Sequence, residues 1–161
     1  FMEENEWIQN MKKGLIDLCS YAVEKGVTIT LEDYDEYHAP FATMYQLLWF
    51  MENVSGLKLT LDMGNFAYSD ENVLEAYELL KDKVVHVHCK DRGYEKNMEQ
   101  YQYNKGLKSV ATGSGYLPIA KLVKTLLAKG YKGYFAIEHF DAPMQFMCVQ
   151  ESAAYLLSLL I

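Results

Sequence analysis

Four short runs of this chain end in the same way. Val27-Thr28-Ile29-Thr30-Leu31-Glu32, Leu57-Lys58-Leu59-Thr60-Leu61-Asp62, Val84-Val85-His86-Val87-His88 and Tyr134-Phe135-Ala136-Ile137-Glu138 are rich in apolar, β-branched or aromatic residues, and each closes on a carboxylate or an imidazole. Side chains alternate across a strand. Val85 and Val87 therefore share one face, and His86 and His88 share the other. In the remaining runs the carboxylate falls on the face of Thr28 and Thr30, of Lys58 and Thr60, or of Ala136. Three carboxylates and one imidazole at four strand ends demand strands that lie side by side with those ends together.

The spacing between the runs says how they connect. Glu32, Asp62, His88 and Glu138 are 30, 26 and 50 positions apart. The first two intervals each fit one strand–helix unit, and the third fits a unit with a long insertion. Helical periodicity predicts helices over residues 4–25, 40–54, about 70–83, 118–130 and 144–160. The strands fall at 27–33, 57–62, 84–89 and 134–139. Residues 91–116 read as a long, polar, Gly-bearing loop. Such alternation builds a parallel sheet with right-handed crossovers.

An open doubly wound sheet has helices on both faces, and its central strands are apolar throughout. Here one face is small or polar, which suits the interior of a (β/α)₈ barrel of the TIM type with its site at the C-terminal mouth. Only four βα units are present. The expected fold is α/β, with residues 1–161 forming a single partial TIM-barrel domain, a half barrel with open edges. Two routes complete it: four further N-terminal units in a longer gene product, or a second copy joined edge to edge in a homodimer or other oligomer. The chain starts with Phe1, in keeping with the first route.

Composition narrows the function. Half of the 161 residues are hydrophobic, the net charge is -7, and Arg92 is the only arginine. A surface that tracks nucleic-acid phosphates needs clustered Lys and Arg, so no nucleic-acid partner is expected. No apolar run reaches the length of a membrane span, and residues 1–13 do not resemble a signal peptide. Cys19, Cys89 and Cys148 match no disulfide or metal framework. A cytoplasmic setting is expected, with Cys89 a packing residue.

If the four strand-end residues converge, Glu32, Asp62, His88 and Glu138 offer three carboxylate oxygens and one imidazole nitrogen. That set suits a divalent metal, Mn²⁺ foremost, with Mg²⁺, Co²⁺ or Zn²⁺ also compatible. Adjacent hydroxyl and carbonyl oxygens of a sugar would complete the coordination, and the ion would polarise the carbonyl. Glu32 and Glu138 are the candidate catalytic pair, one removing and the other returning a proton through an enediolate. His86, one layer below His88, is read as its support. Lys90 and Arg92, just past the third strand, are candidates for binding substrate hydroxyls or phosphate. Asn65 and His38 are further candidate substrate contacts. Gly113-Ser114-Gly115 reads as a substrate-side loop.

These pieces resemble the C-terminal half of the xylose isomerase-like TIM-barrel superfamily. The resemblance rests on Leu31-Glu32-Asp33, Leu61-Asp62-Met63-Gly64-Asn65, His86-Val87-His88-Cys89-Lys90-Asp91, Gly113-Ser114-Gly115 before Pro118-Ile119, and Ile137-Glu138-His139. It implies Glu32, Asp62, His88 and Glu138 as metal ligands, with the two glutamates as the acid/base pair. It implies an enzyme of carbohydrate metabolism: a metal-dependent sugar or sugar-phosphate isomerase or epimerase. The alternatives are a C-glycoside-cleaving lyase or dehydratase, a non-catalytic sugar-binding or assembly half barrel, and an apurinic endonuclease. Asn65 stands where many members carry His, which argues against the endonuclease branch and its additional zinc-binding histidines. The superfamily's first four strands have no counterpart in the chain.

Overall fold

The computed structural model describes residues 2–94, 106–140, 142 and 144–160. Within it, β1 (Thr30–Glu32), β2 (Lys58–Asp62), β3 (Val84–Cys89) and β6 (Phe135–Ile137) form one parallel sheet in the order β1-β2-β3-β6. Glu32 lies level with Thr60, Asp62 with His88, and His88 with Ala136. All four chemistry-bearing ends therefore finish at one edge of the sheet.

The two faces differ as the alternation requires. Leu59, Leu61, Val87 and Cys89 are fully buried on the helix side, in one core with Leu47 and Phe50 of α2 (Met44–Asn53), Leu80 of α3 (Val73–Leu80) and Leu122 and Val123 of α4 (Ile119–Ala128). Each buried leucine of this kind contributes ~1.5–3 kcal/mol over its exposed state. On the opposite face Thr60 donates its hydroxyl hydrogen bond to Thr30 at 2.8 Å. This is the small, polar face that a barrel interior requires, four strands wide among the described residues.

Local chemistry sets the helix limits. Asn5 caps α1 (Glu6–Glu24), accepting from the amides of Trp7 and Ile8, and Gly26 ends it at φ 65, a conformation that favours glycine. Asn72 caps α3. The second helix begins later than the expected Pro40. Thr43 and Gln46 form a reciprocal capping box, which satisfies the first amides only from Met44 onward.

The expected loop over 91–116 contains structure. β4 (Asp91–Tyr94) pairs antiparallel with β5 (Leu107–Val110), with Asp91 opposite Val110 and Tyr94 opposite Leu107. The strands are short, and Asp91, Arg92 and Gly93 mask any apolar alternation. Burial of Arg92 against Ser109 at 3.1 Å, a tertiary contact, makes the pair. The stretch 95–105 of that expected loop lies outside the described residues. β1 and β6 are also shorter than expected, because each pairs on one side only among the described residues.

The last helix, α5 (Gln145–Leu160), buries only Ser152 and Leu156 and leaves Phe146, Val149, Leu157 and Leu160 exposed. At the other end, α1 exposes Trp7, Tyr21 and Val23. No helix among the described residues is long and apolar enough to cross a membrane.

Candidate metal centre

Each strand delivers one donor to the mouth. Glu32 and Asp62 are the last residues of β1 and β2, His88 is the last but one of β3, and Glu138 follows β6 directly. One ligand atom from each of the four lies within 4.8 Å of every other. His88 Nδ1 stands 2.8 Å from Glu32 Oε1, 2.7 Å from Glu138 Oε2 and 4.0 Å from Asp62 Oδ2. A ring nitrogen carries one hydrogen or one lone pair, so it cannot serve three carboxylates at once. A cation among the four can. Asp62 Oδ2 is buried with no hydrogen-bond partner and only a longer ion pair, 3.4 Å, to Lys90, whereas buried polar atoms are nearly always hydrogen-bonded. The residues therefore fit a divalent ion with oxygen and nitrogen donors, of the Mn²⁺, Mg²⁺, Co²⁺ or Zn²⁺ kind.

The electrostatics carry the same mark. Burial pushes the Asp62 carboxyl up to about 6, against the pull of Lys90 and the Gly64 amide. His88 is raised, first by its hydrogen bond to Glu32 and then, against burial, by the three carboxylates. Burial pushes Glu138 upward, but the Lys90 hydrogen bond and charge, with His88, outweigh it and hold it below the ordinary value. Lys90 is raised, because Asp62 and Glu138 outweigh its desolvation.

The surrounding residues hold the candidate ligands in place. Asp62 Oδ1 accepts from the amides of Gly64 and Asn65 at 2.7 and 2.8 Å, which turns Oδ2 toward the centre. Asn65 accepts from Lys90 Nζ at 3.1 Å and from Arg92 at 3.2 Å. A cleft of about 280 Å³ opens beside the ligands, lined by Glu32, Tyr34, Asp35, Asn65, Lys90, Glu138 and Phe140. Glu32, Glu138, Asn65 and Lys90 thus meet at one cleft. Arg92 is not on its wall; it is buried, stacks on Tyr68 at 4.8 Å and braces the turn after β2. His38 is exposed, its ring against Tyr37, and does not join the cleft. His86 meets the His88 ring edge-on at 5.2 Å, in the layer below. Cys89 is fully buried behind the site.

Sequence reasoning does not give the roles of three residues that shape this centre. Asp33 is fully buried, and its Oδ1 accepts from the Asp62 amide at 2.9 Å. Its legible signal is its place beside Glu32: two adjacent carboxylates at a strand end must point to opposite faces, so one turns away from the mouth. Asp91 accepts from the amides of Arg92, Gly113, Gly115 and Leu117. It thereby folds the Gly113–Gly115 segment, and an added Cβ at Gly115 would meet Asp91 itself. Ser152 sits on α5 with no local signal at all.

Comparison with known proteins gives the family and the fold. The sequence profile described as xylose isomerase-like TIM barrel matches residues 2–159. An inosose dehydratase of Clostridium perfringens is 27% identical over 155 residues, covering 88% of this chain and 50% of that protein. The chain thus spans about half the length of this curated relative. Among solved structures, a xylose isomerase domain protein from Planctomyces limnophilus superimposes with a TM-score of 0.77 at 24% identity, over 99% of this chain and 55% of that one. A 3-keto-D-glucoside 4-epimerase from E. coli does so at 0.70 and 19%, over 98% and 60%.

Proposed function

Because the chain belongs to the xylose isomerase-like TIM barrel family, we propose that it provides the metal-binding half of an enzyme acting on a sugar or sugar phosphate. The reaction is proton abstraction beside a carbonyl, and isomerisation or epimerisation is the outcome. The observation that carries this reading is the facing pair Glu32 and Glu138 on one cleft, each within hydrogen-bond reach of His88. A divalent cation held by Glu32, Asp62, His88 and Glu138 supplies positive charge that polarises the substrate carbonyl and offsets enediolate charge.

The chain's own groups do the rest. One glutamate takes the proton from the carbon next to the carbonyl, and the electron pair moves onto the carbonyl oxygen as the enediolate forms. The other glutamate returns a proton from the opposite side. Lys90, buried and charged at the cleft, binds a substrate hydroxyl or phosphate oxygen, and Asn65 holds Lys90 in place. Phe140 and Tyr34 flank the cleft and offer an apolar rim to the sugar ring.

A second reading has a specific observation behind it: the curated relative is an inosose dehydratase. In that reading the same enediolate expels a neighbouring hydroxyl as water, and the second glutamate protonates the leaving oxygen. The first step is shared, so one experiment addresses both readings. The Mn²⁺-loaded protein is incubated in D₂O with a panel of ketoses and inososes and followed by NMR. Deuterium entering beside the carbonyl supports the proposal, and loss of water from the product selects the dehydratase. No exchange by the full-barrel protein, or undiminished exchange in both Glu32→Gln and Glu138→Gln, overturns it.

The working unit is a closed barrel. Open edges at β1 and β6 and the apolar exposures on α1 and α5 call for a partner surface. A second copy, rotated by half a turn about the barrel axis, presents β6 to β1 in parallel, and its α5 to α1. An N-terminal half of equal size serves the same purpose. The buried, unbridged thiols of Cys19 and Cys89 fit a reducing, cytoplasmic setting.

A further inference from the structure

Glu138 is the one of the four metal-site residues that stands outside a strand. It lies beyond the end of a three-residue edge strand, and its amide reaches Cys89 O only at 3.4 Å. Glu32 and Asp62 instead close their strands from within. Asp62 has in addition the Asp33 clamp on its amide.

Behind Glu138 a ring of hydrogen bonds closes through the outer helix layer. The next residue, His139, points away from the mouth, and its Nε2 lies 2.9 Å from Ser152 Oγ. Ser152 is fully buried on α5, beside Leu156 and the partly buried Tyr155 and Leu159. Its Oγ also accepts from the Thr112 amide at 2.7 Å. Thr112 donates its own hydroxyl to Cys89 O at 2.9 Å, the carbonyl that accepts from the Glu138 amide. Four bonds thus link α5, the segment after β5, the end of β3 and the end of β6.

A buried hydroxyl on an apolar helix is destabilising unless it is paired. Here alanine would fill the position more simply. We infer that Ser152, His139 and Thr112 are positioning residues that hold Glu138, together with the neighbouring His88 backbone, at the spacing the cation requires. The inference rests on the metal-site reading above. Supports of this kind typically change metal affinity by ~10–100-fold without touching the ion.

The test is Mn²⁺ affinity by calorimetry, with far-UV circular dichroism as the check on folding. His139→Leu and Thr112→Val each cut one bond of the ring, and Ser152→Ala cuts two. Each is expected to weaken Mn²⁺ binding about tenfold while its circular dichroism stays native. His139→Gln carries an amide to the same place as Nε2 and is expected to bind within about threefold of wild type, a rescue that mere filling of space would not produce. If Ser152→Ala fails to fold, His139→Leu against His139→Gln decides. If His139→Leu fails too, Thr112→Val, which keeps its shape and loses only the bond to Cys89 O, decides. Folded variants that bind Mn²⁺ as tightly as wild type overturn the inference and leave the metal site standing. A wild-type protein that binds no divalent ion overturns both.

Discussion

Replacing Asp62 by Asn is expected to move stability in opposite directions with and without metal. Asp62 is fully buried and its carboxyl is pushed up to about 6. An ordinary aspartate titrates near ~3.9, and each pH unit of difference is worth ~1.4 kcal/mol, so keeping Asp62 charged at neutral pH costs the fold ~3 kcal/mol. The sign follows from linkage. The folded state holds the proton more tightly, so the penalty is full above pH 6 and vanishes as pH falls below the unfolded value. Asn keeps the Oδ1 acceptor for the Gly64 and Asn65 amides. It also turns an NH₂ toward Lys90, which stands 3.4 Å from Oδ2. Lys90 retains Glu138 at 2.9 Å. The net expectation is a metal-free variant ~1–3 kcal/mol more stable than wild type at pH 7.5, by urea unfolding in EDTA. With Mn²⁺ at about 100 times its dissociation constant, wild type gains ~2.7 kcal/mol and the variant gains almost nothing. An Asp62→Asn variant less stable than wild type in EDTA, or one that Mn²⁺ stabilises equally, refutes the reasoning.

Further expectations follow from other parts of the molecule. The Cys89 thiol is pushed up to about 12 by burial and then by Asp62. Stability intact below about pH 8.5 should therefore fall as pH rises toward 12, with a steeper urea-midpoint decline in wild type than in Cys89→Ala; parallel slopes contradict this. Asp91→Ala strips the acceptor from four amides and should cost ~3–5 kcal/mol in urea unfolding, since orphaned buried donors cost ~1–3 kcal/mol each when water cannot reach them; a loss under ~1 kcal/mol contradicts the role given to it. Sedimentation of this chain at micromolar concentration is expected to give a dimer, and a well-folded monomer contradicts closure by a second copy.

The four strand ends are legible in the sequence because a strand has a period of two and a parallel sheet brings its C-terminal ends together. Glu32, Asp62, His88 and Glu138 follow from those two facts, and so does the split between Val87 on one face and His88 on the other. What is not legible depends on contacts distant in sequence. Arg92 reads as a substrate-facing cation, yet Ser109, Asn65 and Gly64 bury it. Asp33 reads only as the neighbour of Glu32 at a strand end, yet it clamps the Asp62 amide from 29 positions away. Ser152 looks like one more small residue on an apolar helix, and only the fold brings it to His139 and Thr112. The β4–β5 pairing carries too little apolar alternation to declare itself.

The central claim is that Glu32, Asp62, His88 and Glu138 hold one divalent ion. Electron paramagnetic resonance of a Mn²⁺ titration reads this directly, because free and bound Mn²⁺ differ in signal. One ion per chain is expected for wild type, and none at the same concentrations for His88→Ala. Absence of a bound ion in the folded wild-type protein, or binding that His88→Ala leaves untouched, contradicts the claim.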